Sequence, residues 1–81
     1  MYYVYILQSK GDRSYYIGNT KDLRKRFAEH NAGKQKYSSG KRPFILLWYC
    51  AFSDKLPAYK FEKYLKSGSG SAFAKKRLTC S

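Results

Sequence analysis

The chain has 81 residues, 43% of them hydrophobic and nine of them tyrosine, which suits one domain with a single modest core. Lys and Arg number 17 against five acids, a formal charge of +12 that predicts attraction to a polyanion, nucleic acid being the commonest. No apolar run approaches the ~20 residues of a membrane helix, and no charged-then-apolar signal opens the chain. Cys50 and Cys80 are the only cysteines. Without a CxxC or a Cys/His cluster they speak against structural zinc and for a reduced, cytoplasmic protein.

Met1 to Leu7, MYYVYIL, reads as a strand of aromatic and β-branched residues. The polar SKGDR that follows predicts a turn, and Ser14 to Gly18 returns as a second strand. A turn centred near Lys10 and Gly11 sets Tyr5 opposite Tyr16, Leu7 opposite Ser14 and Tyr3 opposite Gly18. Tyr3, Tyr5 and Tyr16 then share one face, with Val4, Ile6, Tyr15 and Ile17 on the other. Cross-strand packing alone would account for paired tyrosines.

Thr20 is placed to cap a helix, with Asp22 in its first turn. On that helix Leu23, Arg26, Phe27 and His30 fall at i, i+3, i+4 and i+7, which is one face. An arginine and a histidine in an apolar stripe can snorkel at its edge. The alternative is a phosphate site in the crevice between strand and helix. NAGKQKYSSG, residues 31 to 40, reads as a polar loop, Gly33 supplying a left-handed helix stop.

Pro43 opens the unbroken apolar run FILLWYCAF, Phe44 to Phe52, which predicts the central or best-buried strand. Ser53 or Asp54 can cap a second helix that tolerates Pro57 in its first turn. Its stripe is Ala58, Phe61, Glu62 and Leu65. Glu62 thus sits on the apolar side, apart from Lys60, Lys63 and Lys66, either as an edge glutamate paired with an arginine or tyrosine or as a metal ligand. SGSGS, residues 67 to 71, reads as a flexible connection, followed by a short helix from about Ala72 to Leu78. It lacks the GKS/T ending of a P-loop.

Tyr3-Val4-Tyr5 together with Tyr16-Ile17-Gly18 resembles the GIY-YIG nuclease family, whose first element reads Gly-Ile-Tyr and whose second is present intact. Arg26, eight residues beyond Gly18, and His30, four further on, fall where the family has an arginine and a histidine or tyrosine. Glu62 fits its metal-binding glutamate. EHNAGK, KRPF and FEKYLKSGSG look like the small stand-alone group related to the nuclease domain of the UvrC repair protein. There are two departures. Asn19 stands where UvrC-like domains carry lysine, and no late asparagine or extra histidine is matched, Tyr37 and Ser38 occupying the loop where the latter would lie.

The resemblance implies a single α+β domain over residues 1–81, a three-stranded antiparallel sheet flanked by three helices. It implies Mg²⁺- or Mn²⁺-dependent cleavage of DNA, more than RNA, in repair. Glu62 would be one hard oxygen ligand, with waters and substrate phosphate supplying the rest. Arg26 would hold a phosphate through its planar fork. The base role stays open between Tyr5 and Tyr16, assisted by His30. Lys34, Lys36, Lys41, Arg42, Lys75, Lys76 and Arg77 would hold flanking backbone, a salt-sensitive term. No reading domain is attached, so targeting would need a protein partner or a structural feature of the substrate. The rival reading is a nucleic-acid-binding module with this fold and little or no cleavage.

Overall fold

A computed structural model of the chain describes residues 1–32 and 43–78. Tyr2–Ser9 forms β1 and Tyr15–Thr20 forms β2. Leu23–Asn31 is α1, Phe44–Phe52 is β3 and Lys55–Lys66 is α2. Gly68–Phe73 is α3, running on into a π-helical turn at Ala74–Leu78. The sheet is antiparallel with order β2-β1-β3, as the α+β reading expects.

The central strand is β1, not β3. Val4, Tyr5, Ile6 and Leu7 are all buried in β1, whereas Tyr49 and Ala51 in β3 are exposed. An unbroken apolar run signals two covered faces, and it does not say which strand has neighbours on both sides. The ladder to β1 is also irregular: Ile6 faces Trp48 and Leu7 faces Leu46. Leu47 is the extra residue there, as in a bulge.

The β1–β2 register also differs from expectation. Tyr5 faces Gly18, Leu7 faces Tyr16 and Tyr3 faces Thr20. The cause is Ser9, which is fully buried and whose hydroxyl accepts from Gly11 N at 3.0 Å and Asp12 N at 3.3 Å. Asp12 Oδ1 in turn accepts from the Ser14 amide at 3.0 Å, and Arg13 takes a left-handed φ of 63°. These bonds build a four-residue turn and move the pairing by two positions. An even slip keeps every side chain on its face, so Tyr3, Tyr5 and Tyr16 still share one.

One cap falls elsewhere than expected. β2 runs through Thr20, and Asp22 is the N-cap of α1, its Oδ1 accepting from Lys25 N at 3.1 Å. Thr20 Oγ1 instead accepts from Asp22 N at 3.1 Å, tightening the strand-to-helix corner. Asp54 does occupy the N-cap of α2, without a side-chain bond. Residues 67 to 71 are no bare connection: Ser67 Oγ accepts from Gly70 N at 3.1 Å and starts α3. A Cβ on the buried Gly70 would collide with the Tyr64 carbonyl, so glycine lets α3 turn tightly off α2. The predicted stop at Gly33 lies outside the described residues.

Helices cover both sides of the sheet. Val4 and Ile6 pack with Ala58, Leu65 and Ala74 from α2 and the terminal turn. On the opposite face Tyr5, Leu7 and Phe44 pack with Tyr16, Leu23 and Phe27 beneath α1. The buried residues of the first core are all aliphatic, with Trp48, Phe52 and Phe61 packed around them. The second carries phenols and the buried His30.

Candidate active site

The site is built on the register. Because Tyr5 faces Gly18 across the β1–β2 ladder, its ring can lie over a residue with no side chain. A Cβ at Gly18 would sit 2.5 Å from the Tyr5 hydroxyl and 2.8 Å from its ring carbon. Glycine here clears the path by which a phenol from the central strand passes across the edge strand. That is a physical use for the last residue of Tyr16-Ile17-Gly18.

His30, in the last turn of α1, meets that phenol from above. Tyr5 Oη and His30 Nε2 are 3.4 Å apart, a long contact between two buried groups. The imidazole ring centroid is 6.1 Å from Tyr5, 6.3 Å from Tyr16 and 5.6 Å from Phe44. Tyr16 therefore joins the group through His30, further along β2, with its ring edge-on to Phe44 at 5.2 Å. The pair is held in place by Asn31, whose side chain accepts from Phe44 N at 2.6 Å and fixes the end of α1 to the start of β3.

Charge enters from two helices. Arg26, on α1, lies beside Glu29, its Nε 3.5 Å from Glu29 Oε1. Its side chain is 39% exposed, so the guanidinium keeps access to solvent and ligand. Glu62, on α2, approaches the β2 edge from the other face. There the Asn19 amide donates to Glu62 Oε1, and Lys66 Nζ donates to Oε2 at 2.6 Å. Glu62 is thus paired with lysine and asparagine rather than with an arginine or tyrosine. Asn19, which the sequence shows only as a departure from the UvrC-like pattern, orients the carboxylate.

All of these charges bear on Tyr5. Burial pushes its phenol above the ordinary value, Arg26 pulls it down, and Glu62 and Glu29 add to the rise. For His30, burial and then Arg26 lower the pKa, against an opposing effect of Glu29. The imidazole is therefore neutral at neutral pH and can take a proton. Tyr5, His30, Arg26 and Glu62 form one electrostatic neighbourhood around Gly18 and Asn19, with Tyr16 at its rear.

Beside this neighbourhood opens a cleft of about 420 Å³ whose walls include Asn19, four cations (Lys21, Lys25, Arg26 and Lys55) and two acids, the cap Asp22 and the Arg26 partner Glu29. It is a basic recess next to the guanidinium, suited to a phosphate. Lys75, Lys76 and Arg77 are exposed on the terminal π-helical turn. Lys75 borders Tyr15 and Ile17, at the start of β2, and the cleft lies at its other end. Lys34, Lys36, Lys41 and Arg42 lie outside the described residues.

A divalent metal is implied by this donor set only in a limited form. Among the described residues no group of three or more His, Cys, Asp or Glu side chains could enclose an ion. Glu62 alone fits Mg²⁺ that keeps its waters and takes further oxygens from a phosphate. Both carboxylate oxygens are engaged, Oε1 by Asn19 and Oε2 by Lys66, so an ion there would share or displace one of these partners.

The chain is similar to several known proteins. A UPF0213 protein of Staphylococcus haemolyticus is 42% identical over 69 residues, covering 84% of this chain and 83% of that protein. A UPF0213 protein of Streptococcus pneumoniae is 43% identical over 65 residues, and the match takes in 79% of this chain and 65% of the relative's length. The solution NMR structure of a UPF0213 protein from Bacillus halodurans superposes with a TM-score of 0.61 at 36% identity, covering 99% of this chain and 88% of the other. Residues 1–77 match the family described as the GIY-YIG catalytic domain, a nuclease domain that implies nucleic acid as partner. The chain belongs to the GIY-YIG family, in a small UPF0213 protein.

Proposed function

We propose that this chain is a divalent-metal-dependent phosphodiesterase that cuts DNA, acting in repair. The observation that carries the reading is the buried Tyr5–His30 contact beside Gly18, with Arg26 and Glu62 both acting electrostatically on the Tyr5 phenol. Three elements deliver these groups, and Gly18 is the small residue that admits the phenol. A module that only bound nucleic acid would need the basic surface and not a buried phenol–imidazole pair.

The chain's own groups divide the chemistry of hydrolysis. Arg26, partly exposed beside the cleft, binds and neutralises phosphoryl oxygens through its fork. His30, held neutral by burial, accepts a hydrogen bond from the Tyr5 phenol at Nε2 when its own proton sits on Nδ1, and can take that proton only when positive charge on the phosphate side lowers the phenol that burial raises. Tyr5 then orients and deprotonates the attacking water. Arg26 favours that phenolate, the sense in which it already acts on Tyr5. Tyr16, in ring contact with the same imidazole, positions it. Asn19 and Lys66 hold the two oxygens of the Glu62 carboxylate in place, Asn19 itself lining the cleft. Mg²⁺ or Mn²⁺ at Glu62 would supply positive charge to the phosphoryl and leaving oxygens and offset the carboxylate's upward push on Tyr5.

The test is an assay of purified protein on labelled single-stranded, duplex and branched DNA, and on RNA, with Mg²⁺, Mn²⁺ or EDTA. Metal-dependent cleavage of DNA supports the reading. Binding of every substrate without cleavage of any would leave a nucleic-acid-binding module on a nuclease fold.

A further inference from the structure

A second groove, of about 460 Å³, opens on the other side of the β2–α1 corner, lined in part by Tyr3, Tyr49, Leu46, Phe27, Lys21 and Arg24. It exists because α1 is short. Nine residues rise only about 14 Å, so the helix covers the His30 half of its sheet face and leaves the Tyr49 corner open. Tyr49 faces Tyr5 in the β1–β3 ladder, yet Tyr5 is 4% exposed and Tyr49 is 52% exposed. Tyr3 and Tyr49 stand with ring centroids 6.2 Å apart, tilted by 56°. They meet at an angle rather than closing flat on each other, so the corner is an open aromatic wall over an apolar floor.

The ligand that matches this wall is flat, aromatic and anionic at its edge. Leu46 and Phe27 offer an apolar floor, two phenols offer ring faces, and Arg24 and Lys21 set positive charge at the rim. Aromatic faces beside cations are how proteins hold unpaired bases without reading sequence. A paired base cannot use such a wall, because both its faces are already stacked within the duplex. The groove also adjoins the proposed phosphate cleft: Lys21 and Asp22 line both. We propose that Tyr49 and Tyr3 form a stacking site for an unpaired nucleobase flanking the phosphate that is cut. The inference rests on the reading of the adjoining cleft as a nuclease site, and it narrows the substrate to DNA with a single-stranded segment next to the scissile bond.

Tyr49 is the residue to change, since it is half exposed on an edge strand and absent from the catalytic group. Binding is measured in EDTA, so that no cleavage intervenes, with a blunt duplex and with a duplex carrying a single-stranded flank. Base stacking is worth about 1–3 kcal/mol, so Tyr49→Ser should weaken binding of the flanked DNA roughly tenfold and leave the blunt duplex unchanged. Tyr49→Phe keeps the ring and should restore the flanked affinity. A 2-aminopurine in the flank should be quenched by the wild-type protein and not by Tyr49→Ser. Equal loss on both DNAs, or no loss on either, overturns the stacking site while leaving the nuclease reading intact. A dimer in sedimentation that Tyr49→Ser dissolves would also overturn it, by giving the groove to a second copy. Failure of the wild-type protein to bind any DNA would overturn both readings.

Discussion

The two faces of the sheet are built from the same three strands and do different work. The α2 face buries Val4, Ile6, Ala58 and Leu65, all aliphatic and each 1% exposed or less. The α1 face buries Tyr5 and His30 beside Leu7 and Phe44, and it holds its two polar groups against each other. Burial of an imidazole and a phenol costs free energy that aliphatic side chains would not. The residues fully buried on the other face carry no such group. The aliphatic core lies beneath α2 and the proposed chemistry along the α1 side of β2, with Glu62 reaching the shared edge from the α2 side.

The largest break in this division should come from Leu65→Ala. Leu65 is 0% exposed at the centre of the aliphatic core, and truncation of such a leucine costs about 2–5 kcal/mol. Denaturant unfolding should show that loss, while cleavage per folded molecule holds. Loss of cleavage without loss of stability would mean that the division is wrong. Arg26→Lys is the converse case. It keeps the charge and loses the fork, and removal of one preorganised electrostatic group lowers turnover about 10²-fold or more. Unfolding midpoints should barely move, because the Arg26 side chain is 39% exposed and its ion pair with Glu29 lies at the surface.

How much of this is legible in the sequence differs between the same two regions. The strands, α1 and α2, and the stripe that joins Arg26 and His30 to Leu23 and Phe27, follow from period and residue type. The face shared by Tyr3, Tyr5 and Tyr16 survives even a misplaced register, since the slip is two residues. The slip itself is set by the buried Ser9 hydroxyl and the left-handed Arg13, which no propensity announces. Strand order depends on which apolar strand finds two neighbours, and FILLWYCAF carries no mark of being at an edge. Asn19 is the clearest omission. It reads as a departure from a motif, and only the packing of β2 against α2 shows its amide on Glu62. The start of α3 within SGSGS was equally hidden, because Ser67 caps a helix that glycines disfavour.

Two smaller effects would sharpen the comparison. Replacing Lys75, Lys76 and Arg77 together with alanine removes exposed cations outside the catalytic group. The salt dependence of oligonucleotide affinity should flatten by up to about 0.9 in log–log slope for each lost phosphate contact, with little change in turnover at low salt. An unaltered slope would take the terminal turn out of the binding surface. His30 gives the smallest effect and a definite sign. Its folded pKa lies below the ordinary value of 6.5, so the folded state favours the neutral ring. Its contribution is present above about pH 6.5 and is lost as pH falls through the lowered folded value. In His30→Gln, stability should decline less steeply with acid over that window than in wild type. A wild-type curve no steeper than the variant's would mean that burial of this ring is not opposed by its charge.

The central claim is that Glu62, brought to the β2 edge from the aliphatic side, completes a metal-dependent site with Tyr5, His30 and Arg26. Glu62→Gln tests it most directly, since glutamine keeps the size and the hydrogen bond from Asn19 while removing the charge that would hold Mg²⁺. Cleavage and oligonucleotide binding are measured on the same folded protein, with Mg²⁺ and with EDTA. The account predicts that the variant binds DNA as well as wild type or slightly better, one repulsive acid having gone, and does not cut it. Cleavage by Glu62→Gln at the wild-type rate, or by the wild-type protein in EDTA, would contradict it.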